Sequence, residues 1–278
     1  MQPPEHHVLR AHLDLAALQG TLQTSLQYVR DVVSFGLIAS EKVTQQGLEL
    51  PGAFFQMMPA SNAALDFETA RIEYKKWVLM AGMRDCVEAL NLFLDKARPV
   101  CFLQSIADRP MVPGWEWNKG MVEDSTSFHR KGLPDKIKYL QNKYGHALLP
   151  EVTGDVLSVN LARNCLVHRK GVVTEHDLNS DQGLLVRWRK MEIVVSGSSG
   201  ERVISGEARV EAGETVSIRH AKSQKLFNKG ELVSFTVDEF TELIWTLTLF
   251  GFQLAKSIED HGRSHGVSFN SPKEALPE

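Results

Sequence analysis

The sequence predicts one mainly α-helical domain with a small antiparallel β insertion before its last helix. Apolar residues recur at intervals of three and four over two long segments in the first part of the chain. Between residues 183 and 235 the sequence becomes rich in β-branched residues and glycine, and helical periodicity then returns. We therefore expect a helical body over residues 1–260, with an amino-terminal helical extension and an insertion at about 183–235, and a disordered tail at 261–278.

The composition favours a reducing compartment and a local site for any polyanion. A chain of 278 residues can bury a large core without disulfides or a structural metal. Its three cysteines are widely separated and form no CxxC pair, so a cytoplasmic location is expected. The 31 basic and 34 acidic residues give a net charge of -3, so attraction for nucleic acid must come from a local group of cations.

No membrane segment is expected. The most apolar stretch, from Leu243 to Ala255, is interrupted by polar residues and is shorter than the roughly 20 residues that span a bilayer. The amino terminus lacks the charged start and unbroken apolar run of a secretory signal.

Two long helices are predicted in the first part of the chain. The first runs from about Val8 to Leu37, and prolines and a glycine in residues 47–59 indicate a connection. The second runs from about Asn62 to Ala97 and ends before Pro99, because proline disfavours a helical predecessor. Residues 100–107 are predicted to form a separate, shorter apolar piece.

Shorter elements follow. Residues 111–120 are predicted to form a loop whose Trp115 and Trp117 pack on the bundle or contact a partner. A helix is expected from Leu133 to Gly145, and another over residues 153–169, capped by Thr153 and stopped by a basic pair and a glycine.

The β insertion and the last helix have clear local signals. A strand is predicted over residues 184–195, a hairpin tip over 196–200, and further strands over 201–210 and 215–220. Thr236 and Glu239 form a capping box that begins the last helix, which is expected to end near Asp260.

Several common enzyme classes lack their signatures. The sequence contains no GxxxxGK[ST], no GxGxxG after a strand and no HExxH, so neither a nucleotide cofactor nor a metal is expected. His261 and His265 have a spacing that metal ligands use, but a loose tail is the expected interpretation. Cys165 is expected to be a small buried thiol, not a nucleophile.

The six residues 163–168, RNCLVH, are the strongest candidates for chemistry. Asn164 and His168 are four residues apart and share a helix face, whereas Arg163 is displaced around the axis. An arginine can hold a phosphate in bidentate fashion, and an imidazole can accept or donate a proton near neutral pH. Together they suffice for metal-free RNA cleavage, in which the 2′-hydroxyl attacks the neighbouring phosphate, and Arg169 and Lys170 could add phosphate contacts. From spacing alone, an ion-paired Arg163 and a dipole-pairing His168 are the more common outcome.

Residues 161–173, LARNCLVHRKGVV, resemble the signature helix of the HEPN superfamily (higher eukaryotes and prokaryotes nucleotide-binding), in which an arginine and a polar residue precede a histidine. The matching residues are Arg163, Asn164 and His168. The resemblance implies an up-down helical bundle, a composite site formed by a homodimer, and a metal-independent endoribonuclease acting as a toxin or in antiviral defence. An antitoxin protein is then a possible partner, and Asp85 or Glu88 could assist the motif.

Two other interpretations remain open. The chain could be a non-catalytic HEPN-like module that dimerises and binds nucleotide, RNA or protein. It could also be a helical interaction protein that recognises a partner through the basic and aromatic residues Arg187, Trp188, Arg189 and Lys190.

Overall fold

The computed structural model describes residues 13–44, 65–107, 118–198, 200–204 and 209–267. The described chain is mainly helical, as expected. The helices are α1 (Leu15–Lys42), α2 (Phe67–Ser105), α3 (Asp124–His129), α4 (Leu133–Tyr144), α5 (Pro150–His168) and α6 (Val237–Ser264), and the strands are β1 (Gly183–Gly197), β2 (Gly200–Ile204) and β3 (Thr215–Asn228). The predicted connection at 47–59 and the two tryptophans of the predicted loop lie outside the described residues. The loop prediction is wrong for residues 118–120, which belong to a short π-helix, Asn118–Glu123.

Helices α1 and α2 confirm the two long helical segments, with shifted ends. Each begins at an aspartate N-cap: Asp14 accepts from the Ala17 backbone at 2.8 Å, and Asp66 accepts from the Thr69 backbone at 2.9 Å. A carboxylate at this position satisfies a free N–H and faces the positive end of the helix dipole.

The predicted helix end before Pro99 is wrong. Helix α2 passes through Pro99 and ends at Ser105, so residues 100–105 belong to it. Proline inside a helix costs roughly 3 kcal/mol, whereas burying one large apolar side chain contributes about 1.5–3 kcal/mol. Ala97, Cys101 and Phe102 flank the proline and are buried, so core packing outweighs the local penalty.

The shorter helices lie close to their expected positions. Helix α4 has Pro134 in its first turn and ends at Gly145, whose φ of 70° is the left-handed cap conformation that glycine favours. Helix α5 begins at Pro150, so the cap predicted at Thr153 is wrong; the first-turn proline starts the helix without a side-chain cap.

The three strands form an antiparallel sheet in the order β2-β1-β3, which confirms the predicted insertion. Strand β3 extends to Asn228 because it pairs along nearly the whole of β1, from Gly183 to Ser196. The capping box of α6 is confirmed, but the helix ends at Ser264, so residues 261–264 are helical and not part of a loose tail.

One hydrophobic core joins the long helices and one end of the sheet. Val33 of α1 and Phe240 of α6 both lie against Gly82, whereas Leu22 of α1 lies against Gly251 of α6. Helices α1 and α6 therefore run in opposite directions.

The sheet is attached to the helices through residues that the sequence presented as a recognition surface. Trp188 is 2% exposed and donates from Nε1 to Glu242, while Arg189 is 8% exposed and donates from Nε to Asp155. Trp188 and Arg189 are therefore structural, and the basic and aromatic run does not form an exposed surface as a unit. Among the described residues, no helix is long and apolar enough to cross a membrane.

Candidate functional site

Helix α5 carries the RNCLVH motif against the core. Its buried stripe includes Val156, Val159, Ala162 and Cys165. Arg163 and Asn164 lie beside this stripe and are partly buried. Their position on the helix therefore brings a cation and an amide to the edge of the packed core.

A polar cleft of about 360 Å³ opens beside these two residues, and we call it the α2–α5 cleft. It lies between α2, the α3–α4 connection and α5. The polar and charged side chains that line it are Glu88, Asn91, Asp95, His129, Lys131, Lys136, Asn160, Arg163 and Asn164. The structure thus brings two of the three predicted catalytic residues, Arg163 and Asn164, into one concave surface.

The Arg163 guanidinium is only partly matched by protein acceptors. Its Nη1 donates to Asn164 Oδ1 at 3.2 Å, and its Nη2 lies 3.9 Å from Glu88 Oε2, which is beyond hydrogen-bond distance. Its Nε is buried and has no hydrogen-bond partner among the described residues. Because Nε is buried and Nη1 is bonded to Asn164, the donor capacity toward the cleft comes from Nη2.

Arg169 and Arg189 show how the same side chain looks when its role is structural. Arg169 donates from Nε at 2.7 Å and also from Nη2 to Asp177, which is 1% exposed. Arg189 donates from Nε to Asp155 at 2.5 Å. The long contact of Arg163 with Glu88 differs from both of these short, buried ion pairs.

His168 is placed differently from Arg163. It is exposed at the end of α5 and does not line the α2–α5 cleft. It lies one helical turn beyond Asn164 on the same face, whereas five residues separate it from Arg163, a rotation of about 140° around the axis. Within one chain, Asn164 shares the helix face of His168, and Arg163 does not.

The two predicted RNA-binding residues are also unlike each other. Arg169 is held by Asp177, so a phosphate would have to compete with a buried carboxylate for it. Lys170 is exposed, has a left-handed φ of 54°, and makes no ion pair with the described residues. Of the two, Lys170 is the cation that remains free to contact a ligand.

Sequence reasoning missed a second group of side chains in the cleft. Asp95 Oδ2 lies 2.7 Å from His129 Nδ1, and Asp95 Oδ1 lies 2.7 Å from the buried Lys136 Nζ. A carboxylate in this position orients the imidazole and balances the ammonium charge. On α2, Glu88, Asn91 and Asp95 follow helical spacing, and this polar line was the one signal that could have indicated the cleft.

The structure separates the two acidic residues considered for assisting the motif. Glu88 lines the α2–α5 cleft near Arg163. Asp85 accepts from Arg84 Nε at 2.9 Å and does not line this cleft; it lines a second groove, which Glu88 also reaches. Glu88 is therefore the acidic residue that lies within reach of the motif.

Cys165 and the histidines His261 and His265, the other residues considered for chemistry, lie in surroundings that do not form a reactive site. Burial raises the pKa of the Cys165 thiol to about 11, so this cysteine stays protonated as expected. His261 and His265 lie on and just after α6, with ring centroids 4.3 Å apart, and His146 lies on the other side of His261. No group of side chains in the described ranges has the arrangement of a metal site.

Comparisons with known proteins add no relative to this picture. No family model matches the sequence, and neither a curated protein nor a solved structure matches the chain. Functional inference for this protein therefore depends on the geometry of the α2–α5 cleft and on the RNCLVH motif.

Proposed function

We propose that the protein is a metal-independent endoribonuclease of the HEPN type, active as a homodimer in the cytoplasm, with a role in toxin or antiviral defence systems. Arg163 binds the phosphate that is to be cleaved, Asn164 orients the guanidinium, and His168 transfers a proton. Lys170 contacts a neighbouring phosphate.

The observation that supports this proposal is the unmatched Arg163 guanidinium. A partly buried arginine normally forms short hydrogen bonds to a carboxylate, as Arg169 and Arg189 do. Arg163 makes only a 3.9 Å contact between Nη2 and Glu88 Oε2, and no hydrogen bond from the described residues engages this Nη2. Its buried Nε also lacks a partner, as do the Nε atoms of Arg71 and Arg98, so Nη2 is the donor that distinguishes it. Such a group is suited to a ligand with two oxygens at phosphate spacing.

The proposed reaction requires two proton transfers. A base removes the proton from the 2′-hydroxyl, whose oxygen forms a bond to phosphorus, and an acid protonates the 5′-oxygen as its bond to phosphorus breaks. The products are a 2′,3′-cyclic phosphate and a free 5′-hydroxyl. A dimer that brings two copies of the motif together would supply one imidazole for each transfer.

The test uses labelled RNA of mixed sequence in the presence of EDTA. We expect cleavage by the wild-type protein, no cleavage where the scissile nucleotide is 2′-deoxy, and at least a hundredfold lower rate for His168→Ala, the lower end of the general acid-base contribution. His176→Ala, which removes an exposed imidazole near the same helix end, is the matched control. Intact RNA, or equal cleavage by wild type and His168→Ala, contradicts the proposal.

A non-catalytic HEPN-like binding module is the second candidate. It is favoured by the exposed position of His168, which lies outside the cleft in a single chain. This alternative predicts RNA binding that Arg163→Ala weakens and His168→Ala leaves unchanged, without any cleaved product. Arg84→Ala, which removes an exposed arginine elsewhere on α2, is the charge control.

A further inference from the structure

Asn160 is a buried polar side chain without a hydrogen-bond partner. It is 6% exposed, lies on α5 one turn before Arg163 and Asn164, and lines the α2–α5 cleft. Its amide makes no hydrogen bond with the described residues. The buried side-chain atoms without a partner include Arg163 Nε but neither amide atom of Asn160, so this amide still meets solvent in the cleft. An amide with free hydrogen-bonding capacity at the wall of a cleft is available to a ligand.

The start of α4 faces the same cleft. Gly132, Leu133 and Pro134 line it, and the N-cap position Gly132 provides no side-chain cap. Pro134 has no N–H and Lys136 N donates to Gly132 O at 3.0 Å, so the N–H groups of Leu133 and Asp135 are the ones left open in the first turn of this twelve-residue helix. They carry the partial positive charge of the helix dipole. The start of a helix without a cap is a favourable position for an anion.

The charges of the cleft limit what kind of anion it can accept. Three cations, Lys131, Lys136 and Arg163, face two carboxylates, Glu88 and Asp95, which leaves one net positive charge. Asp95 is already paired with the buried Lys136, so the uncompensated charge is near Arg163, while Asp135 adds a carboxylate to the first turn of α4. A monoanion matches this charge better than a dianion, which Glu88 would repel.

We propose that the α2–α5 cleft holds one phosphodiester group of an RNA chain. The Arg163 guanidinium and the Asn160 amide donate to its two nonbridging oxygens, and the open start of α4 adds the positive end of a helix dipole. The inference rests on the proposed function for the choice of RNA, and it assigns Asn160 and the start of α4 a role that the signature motif does not include. Each protomer then holds its phosphate without residues from a second copy.

The test is a binding measurement that needs no turnover. A fluorescent RNA with 2′-O-methyl groups throughout cannot be cleaved by 2′-hydroxyl attack, so its fluorescence anisotropy reports binding by the full chain. We expect Asn160→Leu to weaken binding roughly tenfold, the loss of one charge-assisted hydrogen bond, and a probe with neutral methylphosphonate linkages to bind much more weakly.

Stability measurements separate a ligand role from a structural role. Asn160→Leu replaces an unpartnered buried amide by an apolar group of similar size, so the free energy of unfolding should stay equal or rise. Ser158→Ala is the matched control on the same helix, because the Ser158 hydroxyl donates to Asp155 O at 2.7 Å and accepts from Arg187 N at 2.8 Å. We expect Ser158→Ala to lower stability and to leave binding of the folded protein unchanged.

Each result has a defined meaning. Unchanged binding by Asn160→Leu, a parallel loss of stability and binding, or equal binding of the neutral probe overturns the inference. Displacement of the probe by inorganic phosphate at equal concentration would assign the cleft to a terminal phosphate and overturn the diester assignment. Binding that depends on Asn160 together with intact unmodified RNA supports the cleft and contradicts only the nuclease proposal. If Asn160→Leu binds the probe as tightly as wild type and still cleaves unmodified RNA, the nuclease proposal stands and the cleft inference is overturned.

Discussion

Substituting Asp177 by alanine tests how the end of the motif helix is held. Asp177 is 1% exposed and accepts two hydrogen bonds from Arg169, one of them 2.7 Å from Nε. It also accepts from the backbone N and the hydroxyl of Thr174, both at 2.9 Å. Arg169 is the C-cap residue that directly follows α5, so Asp177 connects the carboxyl end of the motif helix to the following turn.

The size of the stability loss expected for Asp177→Ala follows from these contacts. Removing one partner of a buried ion pair costs about 3–5 kcal/mol. The Arg169 side chain is 24% exposed and can regain some hydration, which places the loss near the lower end of that range. Losing the cap at Thr174 adds roughly 1 kcal/mol. We therefore expect Asp177→Ala to lower the free energy of unfolding by about 3–4 kcal/mol.

Urea unfolding followed by circular dichroism measures this difference. Asp181→Ala is the control, because Asp181 is exposed in the same segment and should change stability by less than about 0.5 kcal/mol. A loss below about 1 kcal/mol for Asp177→Ala would refute the assignment of Arg169 to this ion pair. It would also return Arg169 to the group of cations available for RNA.

The pH dependence gives an independent check on the same pair. Burial would raise the pKa of Asp177, but hydrogen bonds from Arg169 and Thr174 outweigh burial and hold the pKa below its ordinary value of 3.8. The stability from this carboxylate is therefore present above pH 3.8 and is lost as the pH falls through the lower folded-state pKa. The difference between wild type and Asp177→Ala should narrow in that acidic range.

Three further predictions concern packing, thiol chemistry and acid stability. Gly82→Ala would place Cβ 2.5 Å from Val33 Cγ2 and should lower stability by roughly 1–3 kcal/mol in thermal unfolding; an unchanged or higher Tm would contradict the close approach of α1 and α2. All three thiols are buried, and the pKa of Cys165 is raised to about 11, so iodoacetamide at pH 8 should alkylate them only after unfolding, as mass spectrometry would detect. Burial and the nearby His261 lower the pKa of His146 from 6.5 to about 4, so the unfolded chain takes up its proton first, and stability should fall as the pH decreases from 6.5 to about 4. In urea unfolding over this range, His146→Phe should be less sensitive to pH than wild type; equal sensitivity would contradict the buried, neutral imidazole.

Local sequence signals predicted the type of nearly every described element. The spacing of Leu18, Leu22 and Leu26 indicated the buried face of α1, and these residues are buried in the core. The capping box at Thr236 and Glu239 placed the start of α6 correctly. These predictions succeeded because periodicity and caps depend on residues within a few positions of one another.

Predictions that depended on distant neighbours were less successful. Pro99 indicated a helix end by its local chemistry, but the core around Ala97 and Cys101 keeps α2 continuous. Trp188 and Arg189 resembled an exposed basic and aromatic run, but contacts with α6 and α5 bury both. No local pattern states which partner will approach from another part of the chain.

In the candidate site, too, the sequence indicated the local motif and the tertiary structure supplied its distant neighbours. The sequence alone indicated Arg163, Asn164 and His168, and it left Asp85 and Glu88 equal as acidic partners. The tertiary structure placed Glu88 in the cleft and added residues from α2 and from residues 129–136, among them His129 and Lys136.

Sequence by itself determined the helical body, the β insertion and the helix that carries the motif, because each depends on short-range hydrogen bonding and on the period of apolar residues. Only the tertiary structure decided which charged groups find a partner. Arg169 meets a buried carboxylate, while Arg163 and the Asn160 amide face an open cleft. Arg169 differs from Arg163 and Asn160 in how far it is removed from water and in how close an acceptor lies. Both properties arise only when separate segments of the chain pack together.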